Sequence, residues 1–176
     1  MIHYRKDTDN IVTLTFDMDG KQHNFINHKI ADAFFPVVEH LQNEKAKRRL
    51  RGVILTSKKK SFLAGGQLDY LFEHHTAEAY FQFSDKMQKL FRAFEHPGVP
   101  VVAAINGRAV GMGFELAMAC HHRVLLNNRK IRVGFPEVKY GLMPGNGGVI
   151  RLLWLLGIEK AMKILTSGRT YRPLEA

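Results

Sequence analysis

Short apolar runs alternate along the chain with longer amphipathic stretches. The three strongest runs, at residues 11–16, 52–57 and 99–105, are rich in Val and Ile and are bounded by Gly, Pro, Asn or Asp. That composition is typical of strands, and weaker runs at 123–126 and 131–134 predict two shorter ones.

Apolar side chains recur at helical spacing in the stretches between these runs. Such spacing places them on one face of a helix that packs against a core. The predicted helices cover about 29–43, 77–94, 112–120, 147–156 and 160–166.

Strands and helices therefore alternate, which predicts a layered α/β fold with largely parallel strands. At 176 residues the chain fits a single domain, 1–176. Residues 170–176 predict the opening of another helix, because proline suits a first helical turn and glutamate complements the helix dipole. Since that helix does not continue, we expect the domain to be truncated at its C-terminal end.

Charge adds an expectation about partners. Lys and Arg total 26 against 16 Asp and Glu, giving a net charge of +10, which favours an anionic partner such as coenzyme A, a nucleic acid or an anionic membrane. Apolar runs long enough to span a membrane and secretory signals are both missing from the sequence, so a cytoplasmic location is expected.

The metal-ligating residue types are poorly placed for a metal site. The only cysteine, Cys120, follows an apolar run and is predicted to be a buried, inert thiol. The pairs His74-His75 and His121-His122 are adjacent, so their side chains diverge, and no ligand spacing accompanies them. The sequence therefore predicts no metal.

Three glycine-rich segments combine backbone bends with candidate chemistry, at residues 64–68, 106–117 and 134–148. Small residues in the first allow the backbone to approach a ligand. The second is a strand-to-helix turn, and a helix N-terminus exposes unpaired N–H groups with partial positive charge. The second and third segments also contribute the carboxylates of Glu115 and Glu137.

Together these segments resemble the signatures of the enoyl-CoA hydratase/isomerase (crotonase) superfamily. The Ala-Gly-small-Asp-hydrophobic loop of that family matches residues 64–68, with Gln67 at the aspartate position. The Asn-Gly…Gly-x-Gly-x-Glu-Leu-Ala pattern matches 106–117, and Pro-Glu…Gly…Pro-Gly…Gly-Gly…Arg-Leu matches 136–152. The resemblance implies a ClpP/crotonase-type layered β-β-α spiral core, here with the C-terminal helical part missing.

The resemblance also implies roles for individual residues. The backbone N–H groups of Gly66 and Met112 would form an oxyanion hole for a thioester oxygen. Two carboxylates that share a cavity do not easily both ionise, so Glu115 and Glu137 could hold an acid and a base together near neutral pH. The implied substrate-binding residues are Ala64, Gly65, Gln67, Leu68, Gly111 and Pro136.

The function implied is hydration of a trans-2-enoyl-CoA thioester to a 3-hydroxyacyl-CoA, with an acyl-CoA as substrate and no cofactor, since coenzyme A is part of the substrate. Two alternatives remain open. A Δ3,Δ2-enoyl-CoA isomerase would need only one of the glutamates, and a non-catalytic RNA-binding or scaffold homologue would use the net positive charge. Under the leading hypothesis neither a nucleic acid nor a membrane is expected as a partner, and the lysines at 58–60 could contact the phosphates of coenzyme A.

A second resemblance concerns the N-terminal part of the chain. Residues 15–26 are similar to the start of the multifunctional fatty-acid oxidation alpha subunits. This similarity implies that the full-length protein is a homo-oligomer based on a trimer, or part of a multienzyme complex.

Overall fold

The structure is a computed structural model and describes residues 1–67 and 76–176. Within them lie nine strands, five α-helices and one 3₁₀ helix. The strands are β1 (Ile2–Lys6), β2 (Ile11–Phe16), β3 (Gly52–Ser57), β4 (Ser61–Leu63), β5 (Val101–Ile105), β6 (Arg108–Val110), β7 (His122–Leu125), β8 (Val133–Gly134) and β9 (Thr170–Tyr171). The helices are α1 (His28–Ala46), α2 (Ala77–Glu95), α3 (Met112–Ala119), the 3₁₀ helix (Glu137–Tyr140), α4 (Gly148–Leu156) and α5 (Ile158–Ser167).

Two sheets organise these elements. The first has the strand order β1-β2-β3-β5-β7, and the second has the order β4-β6-β8-β9. Among the pairings of these strands, β1 with β2 and β8 with β9 are antiparallel, and the other five are parallel. The largely parallel α/β architecture predicted from the sequence is therefore confirmed.

The main core lies between the first sheet and helices α1 and α2. Phe34 of α1 meets Phe16 of β2 and Phe94 of α2 edge to face, with ring centroids 5.4 and 5.5 Å apart. All three rings are at most 1% exposed. Burying an aromatic side chain of this size contributes roughly 1.5–3 kcal/mol, so this cluster anchors both helices to the sheet.

The second sheet positions the glycine-rich segments. Parallel strands β4, β6 and β8 lie side by side; β4 and β8 lead into the first and third segments, and β6 lies within the second. Because the carboxyl ends of neighbouring parallel strands lie at the same edge of a sheet, segments that begin 70 residues apart in sequence, at residues 64 and 134, come together there.

All five predicted helices are present, with bounds within three residues of the prediction at each end. The short strands β1, β4 and β6 were not predicted, because β1 carries polar residues at its exposed positions and the other two have only three residues each. The helix predicted to open at 170–176 is wrong. Thr170 and Tyr171 instead pair with Gly134 and Val133 of β8, and a turn follows.

Candidate active site

Eight of the ten predicted site residues line one cavity of about 150 Å³ at the edge where β4, β6 and β8 end. They are Ala64, Gly65, Gly66, Gly111, Met112, Glu115, Pro136 and Glu137. Arg108, Tyr140 and Met143 also line the cavity, and they were not among the predicted site residues. Leu68 lies outside the described residues.

The backbone amides of Gly66 and Met112 are free of the usual secondary-structure partners. Met112 is the first residue of α3, where an N–H has no acceptor within its own helix. Gly66 forms a parallel bridge with Ile26 in which Gly65 O and Gln67 N make both hydrogen bonds, at 2.8 and 3.0 Å. The N–H of Gly66 therefore points away from Ile26. Among the described residues neither amide has a backbone acceptor, and both residues line the cavity.

Gly111 sets the direction of the α3 N-terminus. Its φ of 54° and ψ of −132° lie in a region that side-chain-bearing residues rarely adopt. A Cβ at this position would also lie 2.9 Å from Oε1 of Glu137. The backbone turn therefore favours glycine here, and any side chain at this position would have to displace the Glu137 carboxylate.

Glu115 is buried, with 1% of its surface exposed, and its carboxylate accepts hydrogen bonds from N–H groups. Its Oε1 accepts from the backbone N–H groups of Asn146 and Gly148 at 2.8 and 2.9 Å, and its Oε2 accepts from Asn146 Nδ2 at 3.2 Å. Burial raises the pKa of Glu115, and these three hydrogen bonds oppose that effect because they stabilise the charged form.

Glu137 faces the same cavity from the 3₁₀ helix, in a different environment. Its Oε2 is buried and has no hydrogen-bond partner among the described residues. Burial raises the pKa of Glu137 to about 7, and the negative charge of Glu115 adds to this increase. The cavity therefore presents one carboxylate surrounded by donors and another that is readily protonated near neutral pH.

Gln67 makes a structural contact outside the cavity wall. Its Oε1 accepts a hydrogen bond of 3.0 Å from Nδ2 of Asn27, and Oδ1 of Asn27 caps α1 by accepting from Ile30 N at 3.1 Å. Asn27 therefore connects the first helix to the 64–67 segment. Gln67 is absent from the residues that line the cavity, although the resemblance implies a substrate-binding role.

The lysines at 58–60 have a local structural role. Lys58 and Lys59 both form ion pairs with Asp17, at 3.0 and 2.9 Å. Their hydrogen bonds hold the pKa of Asp17 well below its usual range. Two of the three lysines are thus partly neutralised by a carboxylate that lies next to them.

Other predictions from the sequence concern buried or metal-binding groups. Cys120 is buried as predicted, and burial raises the pKa of its thiol to about 12. His74 and His75 lie outside the described residues. Across residues 1–67 and 76–176, His, Cys, Asp and Glu form no group of three suited to a metal ion. Over the same ranges, every helix is too short or too polar to cross a membrane.

The sequence reasoning missed Asn146, which supplies two of the three donors to Glu115. It also missed Arg151, which lies behind this loop in α4 and binds Asn146 O. Both residues belong to the 136–152 motif, so the sequence pattern already contained them. Their roles depend on how the loop folds over α3, and that packing cannot be read from a single segment.

Comparison with known proteins identifies the family of the chain. The family model described as enoyl-CoA hydratase/isomerase matches residues 6–176. The fatty acid oxidation complex subunit alpha of Shewanella loihica is 40% identical over 167 residues, which is 94% of this chain and 23% of that protein. The subunit of the same name from Idiomarina loihiensis is 36% identical, over 96% of this chain and 23% of that protein. The predicted similarity to such subunits is confirmed, and the chain spans about a quarter of the length of these curated relatives.

Solved structures give the same result for the fold. An enoyl-CoA hydratase from Geobacillus kaustophilus matches 99% of this chain and 64% of its own, with a TM-score of 0.91 and 24% identity. An enoyl-CoA hydratase from Bacillus anthracis matches 99% of this chain and 66% of its own, with a TM-score of 0.89 and 27% identity. The fold predicted from the three motifs is therefore confirmed.

Proposed function

Because the chain belongs to the enoyl-CoA hydratase/isomerase family of the crotonase superfamily, we propose that it adds water to a trans-2-enoyl-CoA thioester to give a 3-hydroxyacyl-CoA. The observation that carries this proposal is the pair of carboxylates, Glu115 and Glu137, on one cavity with the free amides of Gly66 and Met112. Addition of water requires a base and an acid, and the two glutamates can supply these two groups.

The amides of Gly66 and Met112 would hold the thioester oxygen. As water adds to the β-carbon, electrons move from the double bond toward the carbonyl, and negative charge develops on that oxygen. Two fixed N–H groups stabilise the charge without reorganising, and losing one such donor typically costs about 2.7–4 kcal/mol of transition-state stabilisation. The N-terminus of α3 contributes in the same direction.

The environments of the two glutamates suggest different roles. Although burial raises the pKa of Glu115, three donors favour its charged form, and this suits it to be the base that takes a proton from water. Glu137, with a pKa of about 7 and a buried unpaired oxygen, suits the acid that protonates the α-carbon. The hydroxyl joins the β-carbon and the proton joins the α-carbon. Proton transfer from Glu115 to Glu137 then restores both groups.

The remaining parts of the proposal concern the substrate and the assembly. Ala64, Gly65, Gly111 and Pro136 would contact the acyl-CoA through the cavity wall, and the chemistry requires no cofactor beyond the coenzyme A of the substrate. The relatives are named as subunits of a fatty acid oxidation complex, which supports assembly into an oligomer or a multienzyme complex.

Replacing each glutamate separately tests the proposal. Glu115→Gln and Glu137→Gln should each lower kcat for crotonyl-CoA hydration by about 10²–10⁴-fold, because each removes one proton-transfer group. Glu159→Gln is the matched control, since Glu159 lies on α5 with a side chain 80% exposed, and its rate should equal that of the unsubstituted chain.

The isomerase alternative predicts a different pattern. A single carboxylate can move a proton between the α- and γ-carbons, and Glu137, with a pKa of about 7 and a buried oxygen that lacks a partner among the described residues, suits that task. Isomerisation of a 3-enoyl-CoA that survives Glu115→Gln, together with no hydration by the unsubstituted chain, would replace the hydratase proposal with this one.

A further inference from the structure

The loop of residues 145–148 separates Glu115 from an arginine on its other side. We call this stretch the 145–148 loop. On its cavity side, the N–H groups of Asn146 and Gly148 donate to Glu115 Oε1. A Cβ on Gly148 would lie 2.8 Å from that oxygen, so the loop backbone is in direct contact with the carboxylate.

Arg151 occupies the opposite side of the loop. Its Nη1 donates to Asn146 O at 2.8 Å, and its side chain is only 9% exposed. A Cβ on Gly147 would lie 2.3 Å from Nη1, so the guanidinium fills the space that a side chain would need. The carbonyl that Arg151 binds lies between the two amides that donate to Glu115.

Glu95 fixes the guanidinium from the end of α2. Arg151 Nε donates to Glu95 Oε1 at 2.7 Å, and the Glu95 side chain is 16% exposed. A planar guanidinium held at Nε by a carboxylate has little rotational freedom, so its Nη1 is aimed at the loop. A continuous series of short contacts thus runs from α2 through Arg151 and the loop to Glu115.

The α2 helix holds the loop at a second point. Gln88 Nε2 donates to Gly145 O at 3.0 Å, and Ser84 Oγ lies 3.3 Å from the same oxygen. These are neutral contacts at an exposed position. Arg151 is therefore the charged and buried member of the support, and it contacts the loop nearest to Glu115.

We propose that Arg151, held by Glu95, is the positioning residue that fixes Glu115 for proton transfer by locking the 145–148 loop. This inference rests on the proposed function, because it assigns Arg151 to the same reaction. Arg151 touches no reacting atom. Its effect reaches the substrate only through the geometry and charge of Glu115.

The charge of Arg151 provides a readout that a purely structural role would not give. Its positive charge lowers the pKa of Glu115 and so opposes the effect of burial. Among the described residues, the other ionisable groups that line the cavity with Glu115 are Glu137, Arg108 and Tyr140. A base must be ionised to act, so removing the Arg151 charge should move the acidic limb of the kcat profile to higher pH.

Three variants of the 176-residue chain test the proposal. Arg151→Gln should lower kcat at least about tenfold with little change in KM, and should raise the acidic limb by about half a pH unit or more. Arg151→Lys, which keeps the charge, should return the acidic limb to its original position and restore part of kcat. Arg92→Gln is the matched control, because Arg92 binds the other oxygen of Glu95 at 3.0 Å but its side chain is 59% exposed.

A carbon-detected NMR titration of the Glu115 carboxyl measures the same effect without turnover. Its pKa should rise in Arg151→Gln and stay unchanged in Arg92→Gln. Should Arg151→Gln fail to fold by circular dichroism, Glu95→Gln and Arg151→Lys carry the test, with a lower kcat expected in both. An unchanged kcat and an unchanged Glu115 titration in folded variants would overturn the positioning role. Lack of hydration by the unsubstituted chain would instead overturn the proposed function, and the titration would still decide the role of Arg151.

Discussion

At the scale of single residues, the site depends on giving two identical side chains different surroundings. Glu115 receives three N–H donors, whereas Glu137 has a buried oxygen without a partner in the described part of the chain. The motifs identified both glutamates and the two amides. The difference between the carboxylates could not be predicted, because it arises from Asn146 and Gly148 packing onto α3 from a distant segment.

The raised pKa of Glu137 predicts that Glu137→Gln increases the stability of the fold, although the same substitution should lower activity. Its folded-state pKa of about 7 lies above the 4.5 of an unperturbed glutamate. The stabilisation from this group is therefore complete below about pH 4.5 and is lost as pH rises through about 7. Glu137→Gln removes the cost of a buried charge and should raise the free energy of unfolding at pH 8 by about 1–3 kcal/mol.

Denaturant unfolding of Glu137→Gln at pH 5 and pH 8 measures this effect. The gain should be present at pH 8 and small at pH 5. Glu159→Gln, on an exposed part of α5, serves as the control and should show no such pH dependence. An equal stability difference at both pH values would contradict the raised pKa.

At the scale of secondary-structure elements, sequence patterns within a segment predicted the helices well. They predicted the pairing of strands from different segments less well. The helices were predicted because their periodicity and caps are local: Asn27 and Thr76, for example, accept from the backbone of α1 and α2. The helix predicted at 170–176 was wrong because Tyr171 completes the second sheet beside β8. Nothing within that short segment reveals a partner nearly forty residues earlier.

The C-terminus of α1 offers a test of local strain. Arg48 has a φ of 57°, in the left-handed region where helix ends usually place glycine. A residue with a Cβ loses roughly 1–2 kcal/mol there, more than the roughly 0.5–1 kcal/mol of backbone entropy that glycine loses on folding. Arg48→Gly should therefore raise the free energy of unfolding by about 0.5 kcal/mol.

The neighbouring residue provides the control for Arg48→Gly in chemical denaturation. Lys47 has a φ of −80°, so Lys47→Gly gains nothing from relieved strain and should leave stability unchanged or lower it. Destabilisation by Arg48→Gly equal to that of Lys47→Gly would contradict this account.

At the scale of the whole molecule, the second sheet brings the candidate site residues together, and the net positive charge of the chain favours an anionic ligand. Three parallel strands deliver the segments that hold Gly66, Met112 and Glu137 to one edge. A net charge of +10 favours an anionic ligand such as the acyl-CoA that we propose as substrate. Because Asp17 pairs with Lys58 and Lys59, this attraction is expected from the overall field more than from that lysine run.

Long-range attraction of this kind is screened by salt. The KM for crotonyl-CoA should rise severalfold between about 0.02 and about 0.5 M NaCl, because the Debye length falls well below the size of the protein. The crotonyl thioester of pantetheine, which lacks the nucleotide phosphates, is the matched control substrate. Its KM should change little, and an equal salt dependence of the two substrates would rule out steering by phosphate charge.

The reaction itself is tested most directly by incubating the chain with crotonyl-CoA in D₂O and following the product by NMR. Base and acid acting from Glu115 and Glu137 should give 3-hydroxybutyryl-CoA with one deuteron on the α-carbon and a hydroxyl on the β-carbon. Glu115→Gln and Glu137→Gln should each slow its formation by about 10²-fold or more. Deuterium exchange without an added hydroxyl, or hydration at an undiminished rate in either variant, would contradict the two-carboxylate mechanism.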